Sequence, residues 1–163
     1  MKEKQLHIVS FDVPFPPNYG GVVDVFYKII ALHKLGVKIH LHCFEYGRGE
    51  QKELDKYCES VTYYQRGKSK AKLLSKLPFV VATRKSEKLL ENLNKNAYPV
   101  LIEGLHNCWF LERLKPSKRF VAVRTHNVEH DYYQGLSKVE KSLFKKQFFL
   151  STGCAYFNQT PRS

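Results

Sequence analysis

Leu6-His7-Ile8-Val9-Ser10-Phe11, then Asp12-Val13-Pro14-Phe15-Pro16-Pro17-Asn18-Tyr19-Gly20-Gly21, then an apolar run over residues 22–35, is the stretch that decides how this chain is read. The first six residues are rich in β-formers and too short for a helix, so they read as a buried strand. Pro14, Pro16 and Pro17 rule out regular structure in the loop, because each lacks an N–H and fixes φ. The run that follows is apolar at nearly every position, with Asp24 four residues ahead of Lys28 as a favourable helical pair. Strand, loop and glycine-started helix make one half of a βαβ unit, and such a helix start can receive an anion.

Working outward, Gly36 reads as the glycine that ends the helix. Residues 37–44 read as a second strand, with Val37, Ile39, Leu41 and Cys43 on one face and Lys38, His40 and His42 on a half-exposed other. Residues 50–58 look like a short polar helix, and residues 60–65 like a third strand of edge character with Val61 and Tyr63 inward. Helical spacing returns over 84–96. Residues 99–104 read as a fourth strand, 106–114 as a helical turn or two carrying Trp109, and 119–125 as a fifth strand. A break at Gly135 and an amphipathic basic helix from 137 to about 150 are expected next. Alternation of this kind predicts an α/β fold, a Rossmann-like doubly wound parallel sheet in the order 3-2-1-4-5 within three α/β/α layers. Residues 1–150 are read as one domain, and residues 151–163 as an irregular C-terminal tail and truncation end, set aside from the fold.

The 163 residues carry 27 Lys and Arg against 15 Asp and Glu, a formal net charge of +12. That excess suggests an anionic partner: nucleic acid, an acidic lipid surface or phosphorylated small molecules. Arg66, Lys68, Lys70, Lys72 and Lys76 form the most basic region, either a solvated face or a patch facing an anionic surface. Cys43, Cys58, Cys108 and Cys154 contain no C-x-x-C pair and no zinc-ligand spacing, so reduced thiols in a cytoplasmic protein are expected. His40 and His42, two residues apart without a third ligand, do not read as a metal site.

In an open parallel sheet, ligands bind beyond the carboxyl ends of the strands where the strand order reverses, here between strands 1 and 4. That placement gathers Asn18, Tyr19, Gly20 and Gly21 after strand 1, Glu103 and His106 after strand 4, and His126, Asn127, Glu129 and His130 after strand 5. Gly20-Gly21 has two readings: glycines that let the chain turn into the helix, or a Cβ-free helix start that admits a phosphate to backbone N–H groups. His126 either caps the following helix or positions a hydroxyl or phosphate and exchanges protons near neutral pH. Glu103 and Glu129 could also serve as structural ion pairs with Arg124 or Arg119. The dinucleotide fingerprint G-x-G-x-x-G is absent, although Glu45 stands where a ribose-binding acid would be expected. No Walker lysine motif, serine elbow or H-E-x-x-H pattern is present.

The segment Val9 through Gly21, the helix ending Leu32-His33-Lys34-Leu35-Gly36 and the segment Thr125-His126-Asn127-Val128-Glu129-His130-Asp131-Tyr132-Tyr133 together resemble the N-terminal domain of GT-B glycosyltransferases of the family 4 type. The similarity spans about residues 5–150. It implies a retaining enzyme that uses a nucleotide-diphosphate sugar as substrate, with no covalently bound cofactor and no metal. Gly20 and Gly21 would then approach the donor diphosphate, and His126 would lie near the transferred sugar or acceptor, as the catalytic residue. The partners implied are a C-terminal donor-binding domain, missing here, and a sugar or lipid-linked acceptor, so the isolated chain is expected to be inactive. The basic segments suggest peripheral contact with an anionic membrane at its cytoplasmic face. The competing reading is a basic nucleic-acid-binding α/β domain with Tyr63 and Tyr64 as stacking aromatics. The absence of any recognised nucleic-acid signature weighs against it, and no nucleic acid is expected.

Overall fold

Ile8 and Val9 point to opposite faces of the first strand, and each enters a different core. The computed structural model describes residues 3–67, 79–115, 119–125 and 129–143. Five strands, β1 (Lys4–Ser10), β2 (Val37–Glu45), β3 (Ser60–Gln65), β4 (Val100–Glu103) and β5 (Val121–Arg124), form one sheet in the order β3-β2-β1-β4-β5. Every pairing is parallel; Ile8 lies opposite Leu41, Val9 opposite Ile102, and Ile102 opposite Val123. This is the doubly wound order expected from the alternation of strands and helices.

Helix α1 (Gly20–Lys34) lies on one face and buries Val22, Val25, Phe26 and Ile29, each worth about 2 kcal/mol when removed from water. These side chains join Ile8, Ile39 and Leu41 in the first core. Gly36, at φ +75°, lets the chain leave the helix through a left-handed turn, and its N–H donates to His33 O at 2.9 Å. The other face is covered by α3 (Glu87–Leu93), whose first turn is capped by Ser86, and by a 3-10 segment, Leu105–Arg113. Leu89, Leu93 and Phe110 pack there against Val9, Phe44 and Ile102. A short helix, α2 (Phe79–Ala82), and α4 (Glu129–Val139) meet through Val81 and Tyr133, with Leu105, Trp109 and Leu136 against them.

Several local expectations are corrected. The polar helix over 50–58 is a single 3-10 segment, Lys52–Lys56. The face carrying His42 is not half-exposed: His42 and His7 are buried, because α3 and the Leu105–Arg113 segment cover that side. Tyr64 is buried on the same side, and Tyr63 is packed into the opposite core, which removes both from any stacking surface. Gly135 does not break the chain. Helix α4 runs through it, since packing of Tyr133 and Leu136 outweighs a helix cost of about 1 kcal/mol for glycine. No helix extends from Ser137 across residues 140–142, and Val139 and Leu143 are exposed.

Inside the sheet a directional hydrogen-bond chain can be traced. Asn92 Nδ2 donates to Tyr64 Oη at 2.9 Å and Tyr64 donates to His42 Nδ1 at 2.8 Å. His42 Nε2 then donates to His7 Nδ1 at 2.9 Å, and His7 Nε2 to Asn96 Oδ1 at 2.8 Å. Both ends are fixed: Lys95 donates to Asn92 Oδ1, and Asn96 Oδ1 also accepts from Tyr98 N. The two imidazoles are therefore neutral, each in a single tautomer.

Candidate functional site

The proline loop after β1 is held as a rigid unit. Asp12 accepts from Val13 N at 2.8 Å and from the Tyr19 hydroxyl at 2.7 Å. Burial, reinforced by this bond to Asp12, holds the Tyr19 phenol well above its ordinary pKa. Arg48 clamps the loop from the side. Its Nη1 and Nη2 donate to Asn18 Oδ1 at 3.0 and 2.8 Å, Nη2 also donates to Pro16 O, and the guanidinium lies 5.4 Å from the Tyr19 ring centre. The Glu45 carboxylate accepts from Gly47 N and Gly49 N, shaping the turn that carries Arg48. Glu45 is thus engaged with its own loop.

The loop delivers the chain into α1 with Tyr19 extended at the N-cap and no side chain capping the first turn. Gly20 has open space where a Cβ would stand. At Gly21 a Cβ would come within 2.6 Å of Phe11 Cζ, so a side chain here must displace the tip of that ring.

A cleft of about 660 Å3 opens in front of this helix start, at the carboxyl end of the sheet. Phe11, Tyr19, Gly20 and Gly21 form one side, and His106 enters from the segment after β4. Arg66 and Arg84 enter from the segment after β3, Arg124 from the end of β5, and Tyr132 and Tyr133 from α4. Arg84 is only 6% exposed; its Nε donates to Phe11 O at 3.1 Å and its Nη1 to Val80 O at 2.9 Å. Arg66 Nε donates to Thr83 Oγ1 at 3.2 Å, with its guanidinium 4.8 Å from the Tyr46 ring centre. Arg124 is paired with Asp24, which also accepts from Lys28 at 3.3 Å. Beneath these, fully buried Glu103 meets Lys28 Nζ at 2.5 Å and Arg124 Nη1 at 3.5 Å.

No family model matches the chain. Over 148 residues it is 30% identical to a protein of Klebsiella pneumoniae described as an uncharacterized 44.6 kDa protein in cps region. The match takes in 87% of this chain and 38% of that relative, so the chain spans well under half the length of the curated relative it matches.

Of the residues placed at the site by sequence, Tyr19, Gly20, Gly21 and His106 line the cleft together. Asn18 sits beside it in the grip of Arg48, and Glu103 lies below it as the buried partner of Lys28 and Arg124. Glu129 and His130 begin α4, with side chains outside the described set; His126 and Asn127 lie outside the described residues altogether. Most of the basic segment 66–76 and the end of 138–146 also lie outside them.

Sequence reasoning missed Arg84 and Arg48 and gave Arg66 and Arg124 other duties. The signal available for Arg84 and Arg66 is position alone: both lie in the connection from edge strand β3 to β4, which must pass the β1/β4 gap where the strand order reverses.

Among the described residues no helix is long and apolar enough to cross a membrane, and no group of three or more His, Cys, Asp or Glu is arranged to hold a metal ion. Burial raises the Cys58 thiol to about 12 and Cys108 to about 11, so neither is a nucleophile at neutral pH.

Proposed function

We propose that this chain is the acceptor-side N-terminal half of a retaining GT-B glycosyltransferase that uses a nucleotide-diphosphate sugar in polysaccharide biosynthesis. The observation that carries the reading is the cleft at the carboxyl ends of the strands. There an uncapped helix start at Gly20 and Gly21 faces a lining with arginines from separate segments. Sugar transfer from a nucleoside diphosphate places growing negative charge on the leaving diphosphate. Fixed N–H dipoles and guanidinium groups stabilise such charge without having to reorganise. The relative's place in a cps, or capsule polysaccharide, region agrees with a sugar polymer as the product.

In this reading a second, donor-binding domain completes the cleft, and His126, from the segment after β5, lies near the transferred sugar. Lys138 and Lys141, exposed beside Val139 and Leu143, fit a surface that rests on an anionic membrane where a lipid-linked acceptor is held. Binding to vesicles that is indifferent to their anionic lipid content would remove the membrane part.

The test of the enzyme class is sugar transfer in membranes of a strain deleted for the gene. Labelled nucleotide sugar is expected to enter lipid-linked saccharide only when the intact gene is restored, and the purified 163-residue chain is expected to release no sugar by itself. Equal incorporation with and without the gene would reject the assignment.

A further inference from the structure

We propose that Arg48 is a positioning residue, which sets the cleft wall made by Tyr19, Gly20 and Gly21 without entering the cleft. The inference rests on the glycosyltransferase reading for the chemistry that this wall performs. The guanidinium grips one short segment at several points. Its Nε donates to Phe15 O at 3.4 Å, its Nη2 to Pro16 O, and both terminal nitrogens to Asn18 Oδ1 at 3.0 and 2.8 Å. Its charge lies 5.4 Å from the Tyr19 ring centre. Tyr19 lines the cleft and Arg48 does not, so Arg48 acts on a ligand there through the wall.

Arg48 is itself aimed by its own turn. Gly47 and Gly49, at φ +96° and +68°, flank it in left-handed conformations, and Glu45 Oε1 accepts from the N–H of each. Gln51 Nε2 closes the turn on Arg48 O at 2.6 Å, and Gln51 N donates to the Tyr63 hydroxyl at 2.9 Å. The turn is thus tied to β3, and the fork carries that fixed frame across to the proline loop. From the other side Asp12 holds the Tyr19 hydroxyl at 2.7 Å. Tyr19 O then accepts from Val23 N at 3.0 Å, the bond that opens α1. The N–H groups of Gly20, Gly21 and Val22 precede that bond, so their direction follows that of Tyr19. Dipoles fixed in advance stabilise developing charge only where they point, and a misplacement of about 1 Å can cost on the order of 100-fold in rate. A lysine at this position offers a point charge and no planar fork, so it cannot make the same set of bonds.

Two measurements test this on Arg48→Met and Arg48→Lys. Gly36→Ala, which strains a left-handed turn at the opposite end of α1, is the control for lost stability alone. The first is amide hydrogen exchange of the 163-residue chain. Protection of Val23 relative to Ile29, in the middle of α1, is expected to fall about tenfold in both Arg48 variants and to hold in Gly36→Ala. In the second, the gene carrying each change is restored to the deletion strain, and sugar transfer in membranes is expressed per folded, protease-resistant molecule. Both Arg48 variants are expected to lose about tenfold or more in kcat, with the KM for nucleotide sugar changed by less than about twofold. Gly36→Ala is expected to keep both constants.

Unchanged Val23 protection, or a kcat in Arg48→Met equal to that of the unaltered enzyme, overturns the proposal. Full activity of Arg48→Lys overturns it too, since charge and not the fork would then be what matters. An equal fall of kcat in Gly36→Ala would reduce Arg48 to a structural role. Loss of Val23 protection without any transfer by the intact gene would reject the enzyme class and leave Arg48 as the group that sets the wall.

Discussion

Arg48 donates through both terminal nitrogens to the side-chain oxygen of Asn18, at 3.0 and 2.8 Å, across thirty residues of chain. Three prolines leave the loop short of N–H groups, so this fork adds bonds that help fix where α1 begins. Arg48→Met keeps the aliphatic stem and removes the fork, and a loss of about 1–2 kcal/mol in urea denaturation is expected. Asn18→Ala should cost less, because Arg48 keeps its bond to Pro16 O, and the double variant should be little worse than Arg48→Met alone. Full additivity would show that the clamp does not carry the loop.

Gly20 and Gly21 are adjacent yet should respond in opposite ways. Gly20→Ala meets open space in the first helical turn, and a stability gain of about 0.5 kcal/mol is expected from the restricted unfolded chain. Gly21→Ala drives the Phe11 ring from its place into the cleft, at an expected cost of about 1–2 kcal/mol. Phe11→Leu in the same chain should recover most of that cost. Thermal melts of the four variants measure the coupling, and equal effects of the two alanines would show that the ring contact is unimportant.

The sheet order was legible because each strand is a short β-forming segment punctuated by loops or helical spacing, and Gly36 marks a turn in sequence as in structure. The positions of Tyr19, Gly20, Gly21 and His106 at one cleft follow from strand-end topology alone. Arg84 was not legible: its orientation depends on a carbonyl 73 residues away, and no periodicity encodes that contact. His42 was misjudged because alternation in a strand says which residues share a face, and nothing about whether a distant helix covers it. At Gly135 a local breaker yields to tertiary packing, the usual limit of propensity.

Lys28 and Glu103 test how the floor of the cleft is held. The Glu103 carboxylate is 0% exposed and the Lys28 side chain 23% exposed, so Lys28→Met removes the 2.5 Å partner of a buried charge and leaves Arg124 at 3.5 Å. A destabilisation of about 3 kcal/mol is expected. Replacing both partners, Lys28→Met with Glu103→Leu, should restore most of it, because an apolar pair carries no desolvation cost. Chemical denaturation of the three variants decides. A double variant as weak as Lys28→Met would mean that Glu103 has a separate role in holding Arg124.

The His7–His42 chain makes stability depend on pH with a definite sign. Burial comes first for both, lowering His7 to about 4 and His42 to about 3 from the ordinary 6.5; the bond to Asn96 opposes this at His7, while repulsion from Arg119 at His7 and from Lys95 at His42 adds to it. Below 6.5 the unfolded chain takes up protons that the folded chain refuses. Stability is therefore complete above that value and lost as pH falls toward 4 and below. A loss of about 4 kcal/mol between pH 7.5 and pH 5 is expected from these two groups, read as a falling urea midpoint. Protonating His7 also forces two donors to face each other, since His42 Nε2 already donates to His7 Nδ1, and protonating His42 ends its acceptance from the Tyr64 hydroxyl. His42→Phe, which cannot be protonated, should flatten the profile even where it lowers stability at neutral pH. Imidazole proton signals of His7 and His42 that shift with a midpoint near 6.5 would contradict the buried neutral chain.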